Sequence, residues 1–185
     1  MNDEIHLQWP EAKKLVDFFS SHPLALKAAE SIKSGRSLGL LLVRKSGPKY
    51  FKDILGEKDG LVLIFSKEKH GQQCRVVQNS ELAIANLAKC DFIFQIPQHT
   101  AIQLTDHTPE NIAAIGLFIF NKIRSTEDSE KIRVRLTTSV LDVVMGGYLG
   151  VLSSGGPEIA KTLAASGLGS IGKMKDAIAN LKKGD

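Results

Sequence analysis

Cysteine is almost missing from this chain: Cys74 and Cys90 are the only two in 185 residues. Two thiols can close at most one disulfide, so a cystine-stapled secreted scaffold is excluded and two buried reduced thiols are expected. Aromatics are also scarce, at 6%, and most are phenylalanines set inside apolar runs. Nucleic-acid binders concentrate Lys and Arg on one face with aromatics between them. Here a net charge of only +4, diluted by 20 acidic residues, argues against that class. Long hydrophobic runs are lacking too. Ile112 to Phe120 and Val143 to Leu152 are the longest, well short of the ~20 residues that span a bilayer. The start of the chain, with Asp3 and Glu4, has no basic-then-apolar signal pattern. A cytoplasmic protein is the expectation.

Catalytic motifs are missing as well. The sequence contains no G-x-G-x-x-G, no G-x-x-x-x-G-K-[ST] and no G-x-S-x-G. Of the five histidines only His70 has a His or Cys three or four residues away, Cys74, and that pair falls in sequence that does not read as a helix, so no helical metal pair is expected. No cofactor and no metal are expected. The densest titratable group, His99, Asp106 and His107, falls in sequence that reads as a loop. An enzyme built on these residues or on Asp91 is the weakest of three functional readings.

What the chain does have is an apolar surplus near its end. From Ser139 to Gly172 the only charged residues are Asp142, Glu158 and Lys161, and the stretch holds half of the chain's 16 glycines. A helix that merely covers a core shows one apolar stripe and one charged face. This stretch has almost no charged face, so it must meet core on several sides, an apolar ligand, a partner or a membrane. Gly146, Gly147 and Gly150 lie where no Lys or Arg is present to bind phosphate, and they read as permitting close packing or hinge motion. Asp142 reads as a helix-surface acid, and Tyr148 as a polar tip bonded to a backbone carbonyl or to a ligand head group.

In chain order, Pro10 and Pro23 suit the first positions of two helices over residues 9–34, the first with an apolar face of Leu15, Phe18 and Phe19. Gly35 suits a left-handed cap. Leu38 to Val43, Tyr50 to Leu55 and Leu61 to Phe65 read as an antiparallel meander, the two all-apolar members covered on both faces. Lys67 to Gln73 reads as a polar loop, Arg75 to Gln78 as a short strand, and Ser80 to Ala88 as a short helix. Asp91 to Pro97 is a strand, and Pro109 to Ile123 is a helix apolar nearly all round that should sit between layers. Ile132 to Leu136 alternates with Arg133 and Arg135 as a half-exposed strand. Helices follow from Val140 to Met145 and from Pro157 to about Ser166. A final stripe of Ile171, Met174, Ile178 and Leu181 carries lysines that could meet anionic lipid. The expected fold class is α+β. A single domain over residues 1–185 has N-terminal helices (1–35), an antiparallel sheet of about five strands with a helical insert (36–137), and apolar closing helices (138–185).

This order resembles the sterol carrier protein type 2 (SCP2-like) lipid-binding family. Cys90-Asp91-Phe92-Ile93-Phe94-Gln95-Ile96 resembles that family's fourth strand, Pro109 opens the matching helix, Lys131-Ile132-Arg133-Val134 resembles its last strand, and Val140 onward its closing segment. The likeness covers about residues 25–165. It departs from the family at Glu130 and Thr137-Thr138, where glycines usually flank the last strand, and residues 1–22 and 167–185 have no counterpart. The resemblance implies a non-enzymatic carrier for a sterol, fatty acyl chain or similar lipid, held in a tunnel closed by the C-terminal helices. The pocket residues expected on that basis are Phe92, Phe94, Ile112, Ile115, Phe118, Ile119, Val144, Tyr148, Leu149 and Leu152. The expected partners are a hydrophobic small molecule and, transiently, a membrane surface. An interaction module that uses the apolar tail as a homodimer or partner interface is the alternative.

Overall fold

Two prolines set the N-terminal geometry. In the computed structural model, which describes residues 9–44, 60–78, 85–106, 112–154, 156–165, 167, 172–173 and 176, helix α1 runs Pro10–Ser21 and α2 runs Pro23–Ala28, each with proline in its first turn. His22 separates them. Its backbone is extended, and its Nδ1 accepts the Leu24 N–H at 3.3 Å, capping α2. A 3-10 turn, Ala29–Ser31, follows, and Gly35 takes φ 84° just before the first strand.

The strands are β1 (Ser37–Val43), β2 (Gly60–Glu68), β3 (Gly71–Gln78), β4 (Phe92–Pro97) and β5 (Arg133–Leu136), in the spatial order β3-β2-β1-β4-β5. Neighbours are antiparallel except β1 and β4, which run parallel with Leu38 opposite Phe92 and Leu42 opposite Ile96. The sheet is therefore mixed, which corrects the antiparallel expectation. The reason is the connection from β3 to β4. Residues 79–91 are long enough to carry the chain back across the sheet, which a parallel arrangement requires. β3 itself corrects the polar loop expected over Lys67 to Gln73. The strand expected at Tyr50 to Leu55, like most of the helix expected at Ser80 to Ala88, lies outside the described residues.

Helices α3 (Gln98–Asp106) and α4 (Ile112–Ile123) lie between β4 and β5; α5 (Val140–Met145), α6 (Tyr148–Ser154) and α7 (Gly156–Ala165) follow β5. α3 occupies sequence that had read as a loop. α4 is half-buried along residues 114–120 and packs among α2, α3, α6 and α7, so its all-round apolarity serves helix contacts on several sides.

Strand alternation divides the core in two. On one face Leu40, Leu42, Leu61, Leu63 and Ile96 meet Trp9, Ala12 and Leu15 of the N-terminal segment. On the other, Leu41, Val62, Ile64 and Ile93 meet Leu87 and Cys90 of the crossover. β1 and β2 are thus buried on both sides, as their unbroken apolar sequence demands. Cys90 is a buried free thiol. Among the described residues, no helix is long and apolar enough to cross a membrane.

Candidate functional site

The helix-covered face of the sheet is not filled. A cavity of about 200 Å³ remains where α1 and α2 arch over the ends of β1 and β2. Its floor is Leu38 and Phe65. Phe18, Phe19, Leu24, Ala25, Ala28 and Ile32 form its N-terminal wall, and Ile115, Ile119 and Val151 come from α4 and α6. The lining is almost wholly apolar. Small side chains make the space: Ala25, Ala28 and Ala29 leave room where larger residues would reach the sheet.

The polar lining residues are Arg36, Ser37, Ser66, Lys67 and Tyr148, and they gather at one end. Ser37 is paired with Ser66 across the β1–β2 ladder, and the Lys67 N–H donates to the Arg36 carbonyl at 2.8 Å. Behind this end sits the buried carboxylate of Asp91. It accepts from Arg36 Nη1 at 3.0 Å, from the Ser37 N–H at 3.2 Å and from the Tyr148 hydroxyl at 2.7 Å. A hydroxyl has one proton, so the 3.3 Å approach of Tyr148 Oη to the Ser37 carbonyl is secondary. Arg36 Nη2 reaches Asp142 at 3.4 Å, and Ser139 caps α5 by accepting the Asp142 N–H at 3.0 Å while donating its own hydroxyl to that carboxylate. One arginine and two carboxylates thus tie β1, β4, α5 and α6 together.

The electrostatics follow from this geometry. Burial, and then the Asp91 carboxylate, push the Tyr148 hydroxyl well above its ordinary range. The Ser139 hydrogen bond, and then Arg36, hold Asp142 below the usual carboxylate range. Burial pushes the Cys90 thiol up to about 11, so it is protonated and unreactive at neutral pH.

Close packing aligns Tyr148 with this cluster. Gly147 has φ 87°, and a Cβ there would lie 1.7 Å from the Ser31 carbonyl oxygen; one on Gly150 would lie 2.4 Å from Ser31 Cβ. The glycine-dense segment therefore lets the α5–α6 corner sit directly on the 3-10 turn. Phe92 then meets the Tyr148 ring edge-on, with centroids 5.0 Å apart.

Of the ten residues expected in the pocket, Ile115, Ile119 and Tyr148 line it. The others with described side chains are placed elsewhere. Phe92 supports Tyr148 from behind, Phe94 packs against the helix-side core, and the Phe118 ring faces Lys122 Nζ at 5.6 Å. Val144 and Leu149 are half-buried and do not line the cavity. The side chains of Ile112 and Leu152 lie outside the described residues. Among the described side chains, most of the wall comes instead from α1 and α2, with Tyr148 and Val151 from the segment after β5. The sequence showed the apolar face of Leu15, Phe18 and Phe19 on α1, but nothing in it linked that face to a cavity. The row Ala25, Ala28 and Ala29, small residues lining the cavity from α2 and the 3-10 turn, was the signal for a gap. Tyr148 bonds neither of its expected partners first; its hydroxyl goes to a carboxylate.

The titratable group around His99 does not converge. Asp106 pairs with Lys14 at 2.8 Å, whereas His99 lies 3.8 Å from Glu130 on a partly exposed surface. His107 lies outside the described residues. Among the described residues no cluster of three His, Cys, Asp or Glu could hold a metal ion. Compared with protein-family models, with curated proteins and with solved structures, the chain has no significant match.

Proposed function

We propose that this protein is a carrier for a hydrophobic small molecule, such as a sterol or a fatty acyl chain. The apolar cavity of about 200 Å³ beneath α1 and α2 carries this reading, with its polar groups confined to one end. Ligand sites are commonly concave and mostly apolar, with a few convergent polar groups that orient the guest. Each methylene taken from water into such a space contributes about 0.8 kcal/mol, so useful affinity needs no strong polar anchor. Arg36 and Tyr148 are engaged with Asp91, which leaves Lys67 at the polar end as the cation best placed to meet a head group. Nothing in this reading requires a reactive group.

The order of elements supports an SCP2-like relationship: leading helices, three antiparallel strands, a strand opened by Cys90-Asp91, helices, a last strand, then closing helices. A cytoplasmic location belongs to the same proposal. The test is organic extraction of the purified full chain followed by mass spectrometry, and then rebinding of the recovered lipid to stripped protein. Stoichiometric lipid in the extract, or saturable uptake by the stripped protein, is expected. Neither occurring would end the carrier reading.

One observation favours a second reading. Leu141 and Met145, one turn apart on α5, are 70% and 56% exposed. Such a pair suits a homodimer or partner contact. Light scattering on Leu141→Glu/Met145→Glu decides it: a fall in mass relative to the parent chain supports the interface, and an unchanged mass removes it.

A further inference from the structure

A second cavity, of about 540 Å³, lies between α1, the start of α2 and the C-terminal half of α3. It is separate from the cavity already described, yet two residues, Phe18 and Ile115, line both. We propose that the two spaces form one divided site for an unbranched hydrocarbon chain, and that Phe18 against Ile115 is the partition that sets the length of chain admitted. This rests on the carrier reading above.

The neighbouring phenylalanines of α1 differ in how they are held. Phe19 packs on Phe65 of β2, ring centroids 4.9 Å apart, and so belongs to the helix-side core. Phe18 is half-buried and outside that core; its ring rests edge-on against Phe19 at 5.3 Å and stacks on His22 at 4.9 Å. Both ring contacts of Phe18 are to its own helix or the adjoining corner. Its side chain can therefore turn without unpacking the sheet, at a cost set by two ring contacts. Beyond it the second cavity is mixed: Leu15, Pro23 and Leu104 give it an apolar floor, while half of its lining residues are polar, Lys14, Asp17 and His22 among them. Its outer rim carries the Lys14–Asp106 ion pair, whose side chains are 60% and 58% exposed, so it restrains α1 against α3 only weakly. A flexible single chain fits past two side chains; a fused ring system would need the helices to separate.

The experiment uses the full chain, stripped of lipid, and a series of saturated straight-chain acids from octanoate to stearate, measured by displacement of a fluorescent probe. Affinity in the parent protein should rise roughly four-fold per added methylene and then flatten once the first cavity is full. In Phe18→Ala the rise should continue through the lengths where the parent has flattened. Phe18→Trp, which keeps a ring against Phe19 and His22, should move the break to shorter chains and decides the matter even if the alanine variant does not fold. A break at the same length in the parent and in the folded variants overturns the partition while leaving the carrier reading intact. No binding of any acid to the parent overturns both.

Discussion

The two faces of one sheet are packed by opposite rules. Beneath the crossover, Leu41, Val62, Ile64 and Ile93 meet Leu87 and Cys90 so closely that a Cβ on Gly39 would lie 2.3 Å from Leu87 Cδ2. Beneath α1 and α2, the same strands present Leu38 and Phe65 to open space. Protein interiors normally pack like organic crystals. The described residues thus leave open volume at one end of the helix-covered face, whereas the crossover face is closely packed where Gly39 meets Leu87. The difference comes from small side chains in different places. A glycine in the strand lets the crossover sink onto the sheet, whereas three alanines, two in α2 and one opening the 3-10 turn, leave a gap above it.

The largest break in this contrast should come from truncating the solid face. Leu87→Ala removes a side chain that is 1% exposed and should cost about 2–5 kcal/mol in urea unfolding, because the void cannot collapse against a rigid sheet. Leu38→Ala, beside the cavity, should cost about 1 kcal/mol, since its side chain already borders empty space. Equal losses would mean that the faces are packed alike.

Next in size are changes that release the tail from the site. Gly147→Ala sets a Cβ against the Ser31 carbonyl at positive φ and should cost about 1–3 kcal/mol while weakening ligand uptake, because Tyr148 and Val151 move with the corner. Gly156→Ala shares the positive φ but has nothing within 4 Å of its Cβ; it should cost less and leave uptake unchanged. Equal effects of the two variants on uptake would break the link between the corner and the cavity.

Tyr148→Phe removes one hydrogen bond to a carboxylate and should cost about 1–3 kcal/mol near neutral pH. The hydroxyl's pKa is raised on folding, so the stability it gives is fully present below the unfolded tyrosine value of about 10 and is lost as pH rises beyond it. The gap between parent and variant should therefore narrow in alkali. Asp142 has the opposite sign. Its pKa is lowered on folding, so its contribution is present above the ordinary carboxylate range and disappears as pH falls through it. The difference between parent and Asp142→Asn, followed by thermal melts, should shrink in acid, and by less than for Tyr148 because Asp142 is half exposed.

Much of the fold was legible because local rules dominate where the chain is strongly patterned. Pro10, Pro23 and Gly35 marked the N-terminal helices, and unbroken apolar runs marked β1 and β2 as central strands. The second half of β3 was legible as the short strand Arg75 to Gln78, but its start was obscured because an edge strand needs little apolar sequence, and Gln72 and Gln73 read as loop. α3 was hidden by polar residues such as His99, Thr100 and Gln103 directly after Pro97. The parallel pairing of β1 with β4 is a long-range choice that no local period encodes. Ile115, Ile119 and Tyr148 were named from the apolar surplus together with the family resemblance. The α1–α2 wall was missed because a cavity depends on which small residues face one another across elements.

The most direct test fills the space from within. Ala28→Phe places a ring where the cavity now lies; titration of stripped protein with a fluorescent fatty acid should show saturable one-to-one binding in the parent and none in the variant, with thermal stability kept or raised. Saturable binding of equal strength in both, or none in the parent, would contradict the account.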